Sequence, residues 1–222
     1  MIAITDLPLT FLERPAEPES GCKPWLLVLM HGVGSNERDL MGLAPFVPPQ
    51  FHVISLRAPF VMGQGAYAWF QFTVSADGTR HISASQEQQA RALVQQTVEQ
   101  AARQLEIPAE RVVVGGFSQG GIMSLSLLLT QPQLLRAAMV WHGRLLPEVL
   151  PLQAPDAALA GKSLWVSHGT YDNVIPLTSA HAIRDRAKRL PLSLSYQEYP
   201  GAHEIRPEEL RTSMQWLRDL AR

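Results

Sequence analysis

The sequence predicts an α/β fold, a mostly parallel central sheet with helices on both faces. Strand-like and helix-like segments alternate along the chain, the order expected of strands joined by crossover helices. Some strand-like segments are continuous apolar runs without alternation, Trp25 to Met30 above all, as in strands covered on both faces. One strand also runs directly into a helix through Gly116-Phe117-Ser118-Gln119-Gly120. So sharp a turn strains the backbone and exposes the serine hydroxyl, and its glycines let neighbouring backbone approach. A chain of 222 residues suits one sizeable domain, residues 1–222, and is short for two.

In chain order, Leu9 to Glu13 reads as an edge strand and Arg14 to Pro24 as a proline-rich loop. Trp25 to Met30 and His52 to Arg57 read as strands. Ser85 to Leu105 is a long amphipathic helix, with Ala90, Leu93, Val94, Thr97, Val98, Ala101 and Leu105 on one face. Arg111 to Val114 is the strand before the serine turn, and Gly120 to Thr130 is the helix after it, stopped by Pro132. Ala137 to Trp141 and Ser163 to Ser167 are strands, Ser179 to Leu190 a helix, and Leu192 to Tyr199 the last strand. Pro207 starts a final helix that ends at Leu220.

Two connections are too long to be simple links. Pro59 to Ser83 holds Gly63, Gly65, Gly78, Tyr67, Trp69, Phe70 and Phe72; His142 to Lys162 holds Leu145, Leu146 and Val149. Both follow strands, on the side where open α/β sheets bind ligands. They are expected to wall an apolar substrate pocket, with Trp69, Phe70, Leu145, Leu146 and Ile175 as lining candidates. The plainer alternative is that these side chains bury themselves for the loops' own stability.

Composition narrows the function classes. The net charge of −1 offers no field for nucleic acid or for an anionic membrane surface. Arg184, Arg186, Lys188 and Arg189 are spread around a helix and diluted by Asp185. The one cysteine, Cys22, permits neither an internal disulfide nor a cysteine-rich metal site. The N-terminus is unlike a signal peptide, and no apolar run is long enough to span a membrane. A cytoplasmic protein without integral membrane association is expected.

A serine hydroxyl attacks a carbonyl only when a base takes its proton and an acid orients that base. On a strand-to-helix turn of this type the partners follow as Ser, then Asp or Glu, then His. Of the seven histidines, His31, His52 and His81 precede the serine. His142 and His168 sit at strand ends, and His181 lies within a helical pattern. His203 lies in the loop Pro200-Gly-Ala-His203 between the last strand and last helix, where a base can hang over the nucleophile. Asp172 follows directly on the strand Ser163 to Ser167 and is favoured as the acid over Asp156, Glu148 and Glu198. The oxyanion needs two N–H donors. Gln119 offers one from the helix start, and Val33 the other, in the loop His31-Gly-Val-Gly34 after the first buried strand. His31 is expected to pack or hydrogen-bond in that turn rather than do chemistry.

Together, Leu29 to Leu40, Gly115 to Gly121, His168 to Pro176 and Gly201 to His203 resemble the phospholipase/carboxylesterase family, which includes acyl-protein thioesterases and small bacterial carboxylesterases. The likeness runs from about Trp25 to the C-terminus, and Glu37 and Asp39 suggest the bacterial branch. It implies a single α/β-hydrolase domain with no large cap, no cofactor and no metal. It further implies hydrolysis of carboxylic esters or thioesters by Ser118, Asp172 and His203, with Val33 and Gln119 as oxyanion donors. The implied partner is a small ester, with lysophospholipid or acylated protein as alternatives, and the chain is expected to be a monomer or homodimer. Perhydrolase or acyltransferase chemistry on the same triad, or a catalytically silent binding protein, are the rival readings. Two positions depart from the family pattern: Trp69-Phe70-Gln71 where Trp-Phe-Asp is common, and Trp141-His142-Gly143-Arg144 where the strand is often followed by Ser-Gly.

Overall fold

A computed structural model describes residues 4–76 and 80–222, so Gly78 of the first long loop lies outside the described residues. Strands β1 (Phe11–Arg14), β2 (Trp25–Met30) and β3 (Phe51–Leu56) open the chain, with a short helix α1 (Glu37–Met41) between the last two. Hairpins β4 (Phe60–Gly63) with β5 (Ala66–Ala68), and β6 (Phe72–Val74) with β7 (Arg80–Ile82), precede helix α2 (Ala84–Gln104). Then come β8 (Val112–Phe117), α3 (Gln119–Thr130), β9 (Ala137–Trp141), β10 (Ser163–Gly169), α4 (Leu177–Ala187), β11 (Ser193–Tyr199) and α5 (Pro207–Leu220).

Seven strands form one sheet in the order β1-β3-β2-β8-β9-β10-β11. Only β1 runs antiparallel, on the edge against β3. The others are parallel, so their C-terminal ends share one rim. The unbroken apolar runs follow from double-sided cover. In β2, Leu26, Val28 and Met30 face the layer that holds α2, α3 and α4; Trp25, Leu27 and Leu29 face the layer of α1 and α5. All six are buried, and truncating such a leucine to alanine typically costs about 2–5 kcal/mol. In α2 the expected stripe is buried at Ala90, Val94, Thr97, Val98 and Ala101, while Leu93 and Leu105 only border the core.

The sequence-based reading differs in two places. Pro59 to Ser83 is not a structureless loop: Tyr67 and Phe72 sit in two hairpins outside the main sheet, and Trp69 and Phe70 in the bend between them. The short helix α1 has too few residues to show periodicity. It starts where the Asn36 side chain accepts from the Arg38 N–H, and it is held by Arg57, which donates to both Glu37 oxygens at 2.7 and 2.6 Å. Among the described residues no helix is long and apolar enough to cross a membrane.

Candidate active site

Ser118 sits between β8 and α3 with φ 55° and ψ −117°. A non-glycine residue held there costs about 1–3 kcal/mol, and persists only if its surroundings insist on it. Here they do. A Cβ on Gly116 would lie 2.2 Å from the Gly120 carbonyl carbon, and one on Gly120 would lie 1.8 Å from the Met30 oxygen. Backbone therefore packs on backbone, and the Ser118 N–H is fixed on the Trp141 oxygen at 2.9 Å.

The rim brings three distant side chains together. His203, from the loop after β11, has Nε2 2.9 Å from Ser118 Oγ and Nδ1 2.7 Å from Asp172 Oδ2. Asp172 lies in the loop after β10, and its Oδ1 accepts from the Val174 and Ile175 N–H groups at 2.9 and 2.8 Å. The carboxylate is thus aimed before the histidine arrives. Burial pulls the His203 imidazole below the ordinary histidine range, and the Asp172 carboxylate pushes back without reversing it. For Asp172, burial acts upward, but donors from His203, His142 and Ile175 outweigh it and hold the carboxyl below its usual range.

His142 is a member of this cluster that its place at a strand end had set aside. It follows β9 with φ 53° and is buried. Its Nδ1 lies 2.9 Å from the same Asp172 Oδ2 that His203 uses, and its Nε2 lies 3.3 Å from the Glu209 carboxylate. Glu209, in the first turn of α5, is fully buried and accepts from Ser167 Oγ at 2.6 Å and from the Arg206 N–H at 3.2 Å. Burial acts to lower the His142 pKa, but the Glu209 and Asp172 carboxylates together raise it above the ordinary value. The sequence signal was the departure from Ser-Gly after β9; the partner, 67 positions away, left none. His142, Asp172 and His203 offer donor atoms within 4.8 Å of one another, a spacing a cation could bridge. Both imidazoles turn Nδ1 toward the carboxylate at hydrogen-bond distance, and the Gly169 N–H also points at His142 Nδ1, at 3.4 Å.

Val33 and Gln119 both line the cleft at Ser118. The Gln119 N–H is free as the first of α3, and the Val33 N–H has no backbone acceptor among the described residues. The loop carrying Val33 is braced from behind. His31 Nδ1 donates to the Gly32 oxygen at 2.7 Å, its Nε2 accepts from the Ala58 N–H at 3.1 Å, and the Gly34 N–H donates to the Tyr67 oxygen at 2.8 Å. The Gln119 side chain accepts from the Trp69 N–H at 3.0 Å and donates to the Phe70 oxygen at 2.8 Å.

The cleft at Ser118 is small, about 60 Å³, and is also lined by Phe70, Phe72, Arg80, Ile122, Arg144, Val174 and Ile175. It shares Val33, Phe70 and Phe72 with a wider groove of about 520 Å³ along the hairpins, which adds Met62, Gln71, His81 and Ile82. Of the expected lining residues, Phe70 and Ile175 reach the cleft. Trp69, Leu145 and Leu146 do not, and these three are corrected. Trp69 is fully buried behind it, its indole N–H donating to the His31 oxygen at 2.9 Å. Leu146 belongs to the core, and Leu145 packs against Leu125, Leu129 and Leu164. The connection after β9 must cover the apolar surface between α3 and α4, so its leucines turn inward and leave Arg144 to face the cleft.

A buried parallel sheet with a strained serine at its rim, answered by histidine and aspartate from later loops, defines the α/β-hydrolase class. The phospholipase/carboxylesterase family model matches residues 13–220. Acyl-protein thioesterase 1 of Mycosarcoma maydis is 30% identical over 226 residues, covering 87% of this chain and 90% of that protein. A Bacillus cereus carboxylesterase structure superposes with a TM-score of 0.80 at 22% identity, over 96% of this chain and 94% of that one. A carboxylesterase from Mesorhizobium loti gives 0.79 at 22% identity, over 97% of each chain. The chain belongs to the phospholipase/carboxylesterase family, and it is a serine hydrolase of that family's ester-cleaving type.

Proposed function

We propose that Ser118, His203 and Asp172 form the catalytic triad of a carboxylesterase that works through an acyl-enzyme. The observation that carries this reading is the unbroken line from Ser118 Oγ through His203 to Asp172, at 2.9 and 2.7 Å. With its pKa held below the ordinary range, His203 is neutral at pH 7 and free to accept the serine proton. Ser118 Oγ attacks the carbonyl carbon while His203 Nε2 takes the proton. Asp172 holds the Nδ1–H tautomer and stabilises the imidazolium. The Val33 and Gln119 N–H groups receive the oxyanion, a contribution of about 3–4 kcal/mol per donor in comparable sites. Collapse expels the alcohol or thiol with the proton from His203. Water activated by the same imidazole then releases the acid.

The groove along the hairpins has the size and apolar lining of a site for a small ester, with a lipid tail or acylated peptide as the larger alternatives. The reading treats residues 1–222 as a single catalytic domain acting in the cytoplasm without nucleic acid, cofactor or metal, as monomer or homodimer; one exposed, free cysteine, Cys22, is in keeping with a reducing compartment. Ser118→Ala should fold normally, lose p-nitrophenyl ester turnover by about a thousandfold or more, and escape a fluorophosphonate probe that labels the unaltered protein. A variant that keeps most of its turnover sinks the reading.

A further inference from the structure

The cleft at Ser118 is mostly apolar, yet it holds two guanidiniums and, among the described residues, no carboxylate: Arg80 from β7 and Arg144 from the connection after β9. Both are half-buried. The adjoining groove adds no acid among the described residues either; its polar lining is Gln71, Thr73, His81 and Ser83. Half-buried arginines elsewhere in the chain have acceptors. Arg57 is on Glu37, Arg91 on Glu87, and Arg14 on the oxygens of Ala44, Val47, Pro48 and Phe51. Among the described residues, neither Arg80 nor Arg144 has a carboxylate within ion-pair distance. Arg80 lies over the Phe72 ring, 5.2 Å from its centroid, which holds it against the cleft wall. Burial pulls the Arg144 pKa down, Arg80 adds like-charge repulsion, and exposed Glu148 opposes both. Two cations in a partly dry cleft, with only the exposed Glu148 acting on Arg144 among the described residues, are unfavourable there unless an anion joins them.

We propose that Arg80 and Arg144 bind an anionic group, a carboxylate or phosphate, that the substrate carries a few bonds from its scissile carbonyl. This rests on the assignment of Ser118 as nucleophile. The narrowness of the cleft, about 60 Å³, keeps the anion close to the reacting carbon, and Phe70, Phe72, Ile122, Val174 and Ile175 cover the short apolar link between them. The substrate class is then an ester or thioester with one charged end, such as a half-ester of a short dicarboxylic acid. The same charge could instead sit on the leaving group.

The test compares kcat/KM for matched pairs. On the acyl side, monoethyl succinate is set against its neutral isostere ethyl 4-methylpentanoate. On the leaving side, 4-acetoxybenzoate is set against 4-isopropylphenyl acetate. The expected result is a preference for the anionic member of one pair, of about tenfold or more, and that pair identifies which side carries the charge. In Arg80→Gln and Arg144→Gln the ratio should fall about tenfold, and in Arg144→Lys it should fall less. A ratio at or below one in both pairs, or one unchanged in both glutamine variants, overturns the proposal. Turnover of the neutral esters that depends on Ser118 shows, in either case, that the nucleophile assignment stands by itself.

Discussion

His203 and His142 present the same ring atom to the same oxygen, Asp172 Oδ2, at 2.7 and 2.9 Å, and yet they are pushed in opposite directions. Burial works against the charged form of both. His203 faces one carboxylate and a serine, and burial wins. His142 faces two carboxylates, and they win. The difference is the count of carboxylates around each ring. It leaves one imidazole neutral at pH 7, and favours the charged form of the other between two buried acids.

The largest expected break in this comparison comes from His203→Ala, which should lower kcat/KM for a p-nitrophenyl ester by about 10⁴-fold with little change in stability. His142→Gln should show the reverse balance. Removing the cation between Asp172 and Glu209 should cost about 3 kcal/mol of unfolding free energy at pH 6, read by urea titration. Because the folded-state pKa of His142 is raised, its contribution is complete below the unfolded value and fades as pH climbs through the folded one. The gap to the unaltered protein should therefore narrow by pH 9; a gap that is constant with pH shows His142 to be neutral throughout. Glu209→Gln is the finest probe. With one carboxylate left, burial should neutralise His142, whose ring lies 5.5 Å from that of His203. The His203 pKa should then rise, and the acid limb of kcat/KM, expected below pH 6.5 in the unaltered protein, should move upward by about half a unit or more. A limb that stays in place breaks the link between the two rings.

The sheet was legible because double burial writes itself as unbroken apolar runs: the limits of β2 and α5 match the sequence reading residue for residue. Ser118, Asp172 and His203 stood out as candidates from order and from loops that follow strands, and the fold brings the three side chains together. Glu209 was not, because a glutamate in the first turn of a helix reads as a solvated partner of the helix dipole, and only the packing of α5 under β10 buries it. Leu145 and Leu146 misled for a related reason. An apolar residue in a long connection serves substrate or core equally well on paper, and the exposed surface of α3 and α4 decided for the core. His142 combined both difficulties: a left-handed backbone that any side chain can disguise, and a partner far along the chain.

The contact of Gly120 with Met30 has a consequence for how such an enzyme can diverge. The turn at Ser118 and the loop that carries Val33 are spaced here by main chain touching main chain. The reacting geometry has, in effect, its own gauge block. Core residues can turn over and the hairpins can be rebuilt for a new acyl group, provided that these few glycines remain.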